Sequence, residues 1–381
     1  MSPDVSVRRS RALLTGYFLG LGVMMAVWGA RMPAVQHAAH LTTGSLSLVL
    51  LAAALGMVAG LQAGGRLARP ERLPLLLIVG AVALAAALAL LGQCRTLASL
   101  LAAALAFGAA HGVLDVAANT AAVRCQNAYG RPVMSSLHAA YSIGALGGAA
   151  LAAATASKAH STLFLAVGVA LTASVLVAGP RTLALSGVDQ PATSGPQGAG
   201  RGRAAGRVWL LGALAAASLL GEGAAADWAA VHVHALHASS AVAASAFALY
   251  SAGMAIGRLT GDRLTTRLGA PAVIRTGAVL AAAGLTTGVL ADNVPAALAG
   301  WAVFGLGLSG AVPSLITAAG RHGPRAVATV SVTGYLGLLA GPAVIGALAS
   351  ATTLPTALLL PVLLAAALAA LTPRALENTT P

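Results

Sequence analysis

Three polar side chains, His111, Asp115 and Asn119, recur at every fourth position inside a long apolar run. In a helix that spacing sets all three along one face. Asp115 lies about twenty residues after Arg95 and nine before Arg124, so a helix crossing a bilayer carries it deep into the hydrocarbon. An ionisable group there costs roughly 2.5–3.5 kcal/mol on insertion scales and marks a proton or solute path unless it is structural. Asp115 is therefore read as a proton-coupling residue, with a structural carboxyl bonded to Asn119 as the competing reading. Glu222, between Gly221 and Gly223, follows Arg207 by fifteen residues, about 22 Å of helix. It is the second proton-coupling candidate. Asp227 is the third, although its depth also suits an interface beside Trp228.

His138 and Tyr141 are three residues apart and share a helix face. A histidine titrates near neutral pH, so His138 can relay protons, bond a solute oxygen or simply hold two helices together. Arg31 is a fixed cation suited to an anionic solute group, or an interfacial anchor. Arg31, His111, Asn119, His138 and Tyr141 form the expected substrate-binding set. His232, His234 and His237, with His37 and His40, have close spacing that can ligate a metal. A histidine-bearing outer loop has the same appearance without one, and no metal or cofactor is expected.

The elements that must position these residues follow from composition. Hydrophobic residues make up 58% of the chain and charged residues 8%, in apolar runs that recur from end to end. Runs of about 20 apolar residues are membrane-spanning helices, and their Ala/Leu/Gly content without period-two alternation excludes a barrel. Twelve runs are read, over 12–30, 44–66, 73–92, 97–123, 133–156, 161–179, 207–231, 240–261, 271–291, 296–319, 326–349 and 355–372. The fold class is an all-α polytopic membrane protein with twelve transmembrane helices in two pseudo-symmetric six-helix halves. The halves are 1–180 and 207–381, joined by a Gly/Pro/Arg-rich segment, 181–206, read as a flexible cytoplasmic linker.

The formal charge of +13 would suggest nucleic acid in a soluble protein, but here it records topology. With the N-terminus inside, 19 of the 22 Lys and Arg residues fall on the inner side. That asymmetry orients the chain with both termini cytoplasmic in a bacterial inner membrane, and no nucleic-acid partner is expected. Arg8, Arg9 and Arg11 precede the first span and are not read as a secretory signal. Cys94 and Cys125 fall at opposite ends of one helix, which excludes a disulfide between them.

The halves echo each other at an offset of about 190–195 residues, as Gly65-Arg66-Leu67 and Gly257-Arg258-Leu259 illustrate. Gly257, Arg258, Gly261, Asp262, Arg263 and Arg267 resemble the Gly-x-x-x-Asp-Arg-x-x-x-Arg loop signature of the major facilitator superfamily. Twelve spans as six plus six resemble the same superfamily over the whole chain. That resemblance implies a cytoplasmic gating motif at these six residues. The first-half copy around Gly64–Arg72 has no Asp at the matching place. Gly221–Trp228, Asp115–Asn119 and Met134–His138 resemble the fucose-permease-like and YbjJ-type branch, which implies proton-coupled transport without naming a substrate. The span 5 antiporter motif, Gly-x-x-x-Gly-Pro-x-x-Gly-Gly, is absent, and a similar sequence occurs instead at Gly337–Gly346.

The expected function is a secondary active transporter of a small solute, coupled to protons and working by rocking of the two halves about a cavity near the midplane. The alternative is a proton-antiport exporter of a small hydrophobic compound. An enzyme is not expected, since no His-Glu-x-x-His, Gly-x-Ser-x-Gly or Walker motif occurs. The expected partners are the solute, protons and membrane lipid, with the chain acting as a monomer.

Overall fold

A bilayer leaves no water for backbone N–H and C=O groups, so a chain this apolar must satisfy them within helices. The computed structural model describes residues 5–183 and 201–376, and among them no strand occurs. Twelve helical segments are long and apolar enough to cross a membrane. In chain order, spans 1 to 6 are Val5–Ala30, Gly44–Leu67, Pro70–Gln93, Leu97–Tyr129, Met134–Ala154 and His160–Leu183. Spans 7 to 12 are Ala205–Ala235, Ala241–Leu268, Ala270–Leu290, Val294–Gly320, Pro324–Ala351 and Leu354–Leu376. The protein is a multi-pass membrane protein with the twelve helices the sequence predicts.

Short polar residues start the helices. Thr42, Ser239, Asn293 and Thr353 each accept a hydrogen bond from the backbone N–H three residues on. Thr96 and Ser99 cap each other reciprocally at the head of span 4. Gly130 and Gly269 follow the ends of spans 4 and 8 at φ of 71° and 79°, a conformation in which a Cβ is strained.

The structure differs from the sequence reading in three places. The Gly257–Arg267 signature, read as a loop, lies in the final turns of the helix Ser240–Leu268. Of the expected linker, residues 181–183 end a helix and 201–206 begin the next, Arg201–Ala235, while 184–200 lie outside the described residues. Span 10 consists of two helices, Val294–Leu308 and Ala311–Gly320. Pro313 lacks an N–H and its ring crowds the carbonyl of Ser309, which interrupts the ladder there.

The chain divides into two compact units. The first comprises the described residues of Met1–Gly130, Leu137–Gly195 and Gly323–Ala328. The second comprises those of Arg131–Ser136, Pro196–His322 and Thr329–Pro381.

Glycine governs packing within each. In the first unit a Cβ on Gly56, Gly60 or Gly108 would lie 1.9–2.1 Å from a carbonyl oxygen of the facing span 2 or span 4. In the second, a Cβ on Gly253 or Gly305 would lie 2.2 and 2.1 Å from one across spans 8 and 10. These backbones touch because no side chain intervenes. Gly56, Gly60 and Gly108 each precede Gly253, Gly257 and Gly305 by 197 residues. The repeat is thus slightly longer than the Gly-Arg-Leu match suggests, and in this register Gly65 stands opposite Asp262.

Candidate functional site

Span 4 is buried on every side from Leu114 to Val123. A helix enclosed all round has no lipid-facing stripe, so the shared face of His111, Asp115 and Asn119 is not what distinguishes them; their burial is. His111 and Asn119 are 3% exposed and Asp115 7%. The Asn119 Nδ2 donates to the Asp115 carbonyl at 2.9 Å and to its Oδ1 at 3.2 Å. The structure therefore joins Asp115 to Asn119 directly and holds both within the first unit.

The other first-unit candidates have separate surroundings. His138 packs its ring against Phe18, centroids 5.3 Å apart, and Tyr141 is half-buried three residues on. Arg31 is buried, but its guanidinium sits at the end of the helix Met134–Ala154. Nη1 donates to the Ala156 carbonyl at 3.2 Å, and Nη2 donates to the Thr155 hydroxyl at 3.1 Å and to the Thr155 carbonyl. A cation at a helix C-terminus satisfies orphan carbonyls and complements the helix dipole. This environment favours a capping role for Arg31 over the anion-binding one. The first unit also holds an apolar cavity of about 190 Å³ beside Tyr17, Gly20, Leu114 and Leu171. None of the candidate residues lines it.

In the second unit Glu222 and Arg258 form an ion pair, Oε1 to Nη2 at 3.6 Å, with side chains 20% and 10% exposed. Arg258 thus faces span 7 from inside its own helix. Gly221 and Gly223 serve the close approach of neighbouring helices. A Cβ on Gly221 would meet the Phe304 ring at 3.0 Å, and one on Gly223 the Leu338 carbonyl at 2.4 Å. Leu338 is four residues before Pro342, whose missing N–H leaves that carbonyl without its helical donor. Tyr250, 3% exposed, lies in the electrostatic field of Glu222 and Arg258, with its ring 6.0 Å from that of Phe304. Its hydroxyl and Glu222 Oε1 are buried and make no hydrogen bond among the described residues.

Asp227 is exposed. Asp262 spends both carboxylate oxygens on a helix N-terminus, Oδ1 accepting from the Ser135 N–H at 2.9 Å and Oδ2 from the Ser136 N–H at 3.1 Å. Gly261 allows this, since a Cβ there would lie 2.7 Å from Ser135 Oγ. Arg263 and Arg267 are exposed. His232, read in an outer loop, is a buried residue of the helix Arg201–Ala235 that receives the Trp301 Nε1–H at 3.3 Å. Among the described residues no three His, Cys, Asp or Glu side chains gather as a metal site.

The chain is 33% identical to an "Uncharacterized MFS-type transporter" of Yersinia pestis, over 94% of its own length and 91% of the relative's. It is 32% identical to an uncharacterized transporter of Sinorhizobium fredii, over 95% and 97%. The sequence model of the Major Facilitator Superfamily matches residues 213–381. The chain belongs to the major facilitator superfamily. Its fold is similar to that of the transporter FucP, itself solved in the outward conformation, with a TM-score of 0.78 at 18% identity over 97% of this chain and 99% of that one. A variant of the E. coli fucose:proton symporter FucP gives a TM-score of 0.71 at 17% identity, over 96% and 98%.

As a superfamily member the protein is a secondary transporter in class. Tyr250 is the polar residue sequence reasoning missed. Tyr250, Met254 and Arg258 succeed one another at four-residue steps, so one face of span 8 already carried the signal. It went unread because Arg258 was assigned to a loop.

Proposed function

We propose that the protein is a proton-coupled secondary transporter that moves a small solute by alternating access across a bacterial inner membrane, with both termini cytoplasmic. The observation that carries the reading is the burial of a carboxyl group, Asp115, in the enclosed part of span 4, where an ionised group is expensive and a protonated one is not. Glu222 is a second such group, and the placement of Lys and Arg supports the orientation. The name of the fucose:proton symporter, whose fold this chain shares, lends the coupling ion further support. Protonation of Asp115 and occupancy by solute are linked, each changing the other's affinity by the same factor.

The test is proton movement in proteoliposomes under an imposed pH gradient. Wild type and Asp115→Asn are challenged with sugars, organic acids and hydrophobic compounds. A solute that moves protons with wild type alone is the expected result. A solute carried equally by both, with equal proton movement, assigns Asp115 a structural role and overturns its place in coupling.

A further inference from the structure

The apolar cavity of about 190 Å³ in the first unit has no part in the proton and solute path proposed above. It is a groove between spans 1 and 6, floored by Ala81 and Leu114 of spans 3 and 4. Its two walls touch at separate points. A Cβ on Gly20 would lie 3.4 Å from the Leu171 side chain, and the Tyr17 hydroxyl is bonded to that of Thr182 at 3.1 Å. Gly16, one turn before Gly20, is exposed, and a Cβ there would meet nothing within 4 Å, so the walls stand apart beside it. Along span 1 the lining runs from Ala12 to Met24, about 18 Å of helix. That is close to the depth of one leaflet, half of a hydrocarbon core about 30 Å thick. Span 6 also exposes Leu176, Val177 and Leu183, as a helix does toward lipid.

Charge gathers at one end of this groove. Spans 1 and 6 cross the membrane in opposite senses, so the start of one lies level with the end of the other, as the Tyr17 to Thr182 bond requires. Arg9 stands one turn before Ala12 and Leu13, and Arg181 one turn after Ala178, so both continue the lining faces to the membrane surface. Both are exposed, and neither forms a hydrogen bond or an ion pair among the described residues. Neither span 1 nor span 6 carries an acid to answer them. Arg11, by contrast, is engaged with Tyr129, donating to its hydroxyl at 3.2 Å.

We propose that this groove holds one acyl chain of an anionic phospholipid, whose phosphate is bound by Arg9 and Arg181. An apolar slot one leaflet deep accepts the chain, and two cations at its headgroup end select the charge. Guanidinium groups meet phosphate oxygens with paired, charge-assisted hydrogen bonds. A zwitterionic lipid offers the same chain but carries a cation that the arginines repel. With the termini cytoplasmic, the lipid comes from the inner leaflet. The inference goes beyond the transporter reading and needs only the membrane-spanning fold.

The experiment is lipid binding to the purified full-length chain in a neutral detergent, counted by native mass spectrometry and followed as thermal stability. One phosphatidylglycerol should bind ahead of all others and raise the melting temperature saturably. Phosphatidylcholine with the same chains should bind at least tenfold more weakly. A cation near an anionic lipid contributes about fivefold in affinity, so Arg9→Gln or Arg181→Gln should each cost about that factor. The double variant should lose the preference for phosphatidylglycerol, and Arg9→Lys with Arg181→Lys should keep it. Gly16→Leu enters the open space of the groove and should weaken both lipids several-fold with both arginines intact. Equal binding of the two lipids by wild type, or a preference that survives the double Gln variant, overturns the headgroup contact. Unchanged affinities in Gly16→Leu overturn the groove as the chain site. Glycerol phosphate that stabilises the protein as strongly as the whole lipid makes this a site for a free anion and overturns the proposal too. Should the double variant not fold, the two single variants carry the test. Transport is not measured, so failure here is distinct from failure of the carrier reading.

Discussion

Asp262→Ala removes two hydrogen bonds between a carboxylate and the first-turn amides of Ser135 and Ser136. Bonds to a charged group contribute about 1.5–3 kcal/mol each, and a negative charge at a helix N-terminus about 0.3–1 kcal/mol. Asp262 is only half-buried, so water replaces part of the loss and the lower end applies. The expected destabilisation is roughly 2–4 kcal/mol for Ala. Asn keeps one acceptor oxygen but no charge, and should lose about half of that. For a chain of this length ~1 kcal/mol shifts the melting temperature by about 1–3 °C. The Ala variant should therefore melt roughly 2–12 °C lower and the Asn variant midway, measured by fluorescence-monitored unfolding in detergent. Gly261→Ala should mimic Asp262→Ala, because its Cβ would press on the Ser135 hydroxyl and separate the same partners. Arg263→Ala, on the exposed side of the same turn, should change little. The reasoning is refuted if Asp262→Asn and Asp262→Ala melt alike, or if Arg263→Ala falls as far as either.

Two further outcomes follow from packing and charge. Gly108→Ala places a methyl 1.9 Å from the Ala53 carbonyl, about 1.5 Å short of ordinary contact, whereas Gly147→Ala meets nothing within 4 Å. Overpacking costs ~1–3 kcal/mol and a helical Gly→Ala change gains up to about 1 kcal/mol, so Gly108→Ala should melt lower and Gly147→Ala no lower than wild type. His322, just past span 10 and exposed, has its pKa held below the usual histidine value of 6.5 by partial desolvation of its ring and by Arg207 and Arg321. Its neutral form therefore contributes stability that is complete above pH 6.5 and lost as pH falls through the folded-state value. A melting profile from pH 8 to pH 5 should fall less steeply for His322→Gln than for wild type, and equal slopes would remove His322 as a cause.

Much of the architecture is local and so was legible in the chain itself. Whether a segment crosses a bilayer depends on its own apolar length, which is why all twelve spans could be read and why Asp115 stood out as costly. Even the Asp115 to Asn119 hydrogen bond is a four-residue step along one helix. Contacts between helices obey no such rule, because they depend on how each helix is rotated and how closely its neighbour approaches. Asp262 reaches the amides of Ser135 and Ser136 across more than 120 residues of chain, and Arg31 caps a helix whose end lies equally far along. Arg258 looked like a loop residue until span 8 continued to Leu268 and turned it toward Glu222. Glycines at 197-residue intervals set the approach of span 2 to span 4 and of span 8 to span 10, but what each brings together is fixed by the complementary surface of the opposite helix. The sequence by itself determined the helices and the unusual depth of the acids; tertiary packing alone decided which cation answers which acid.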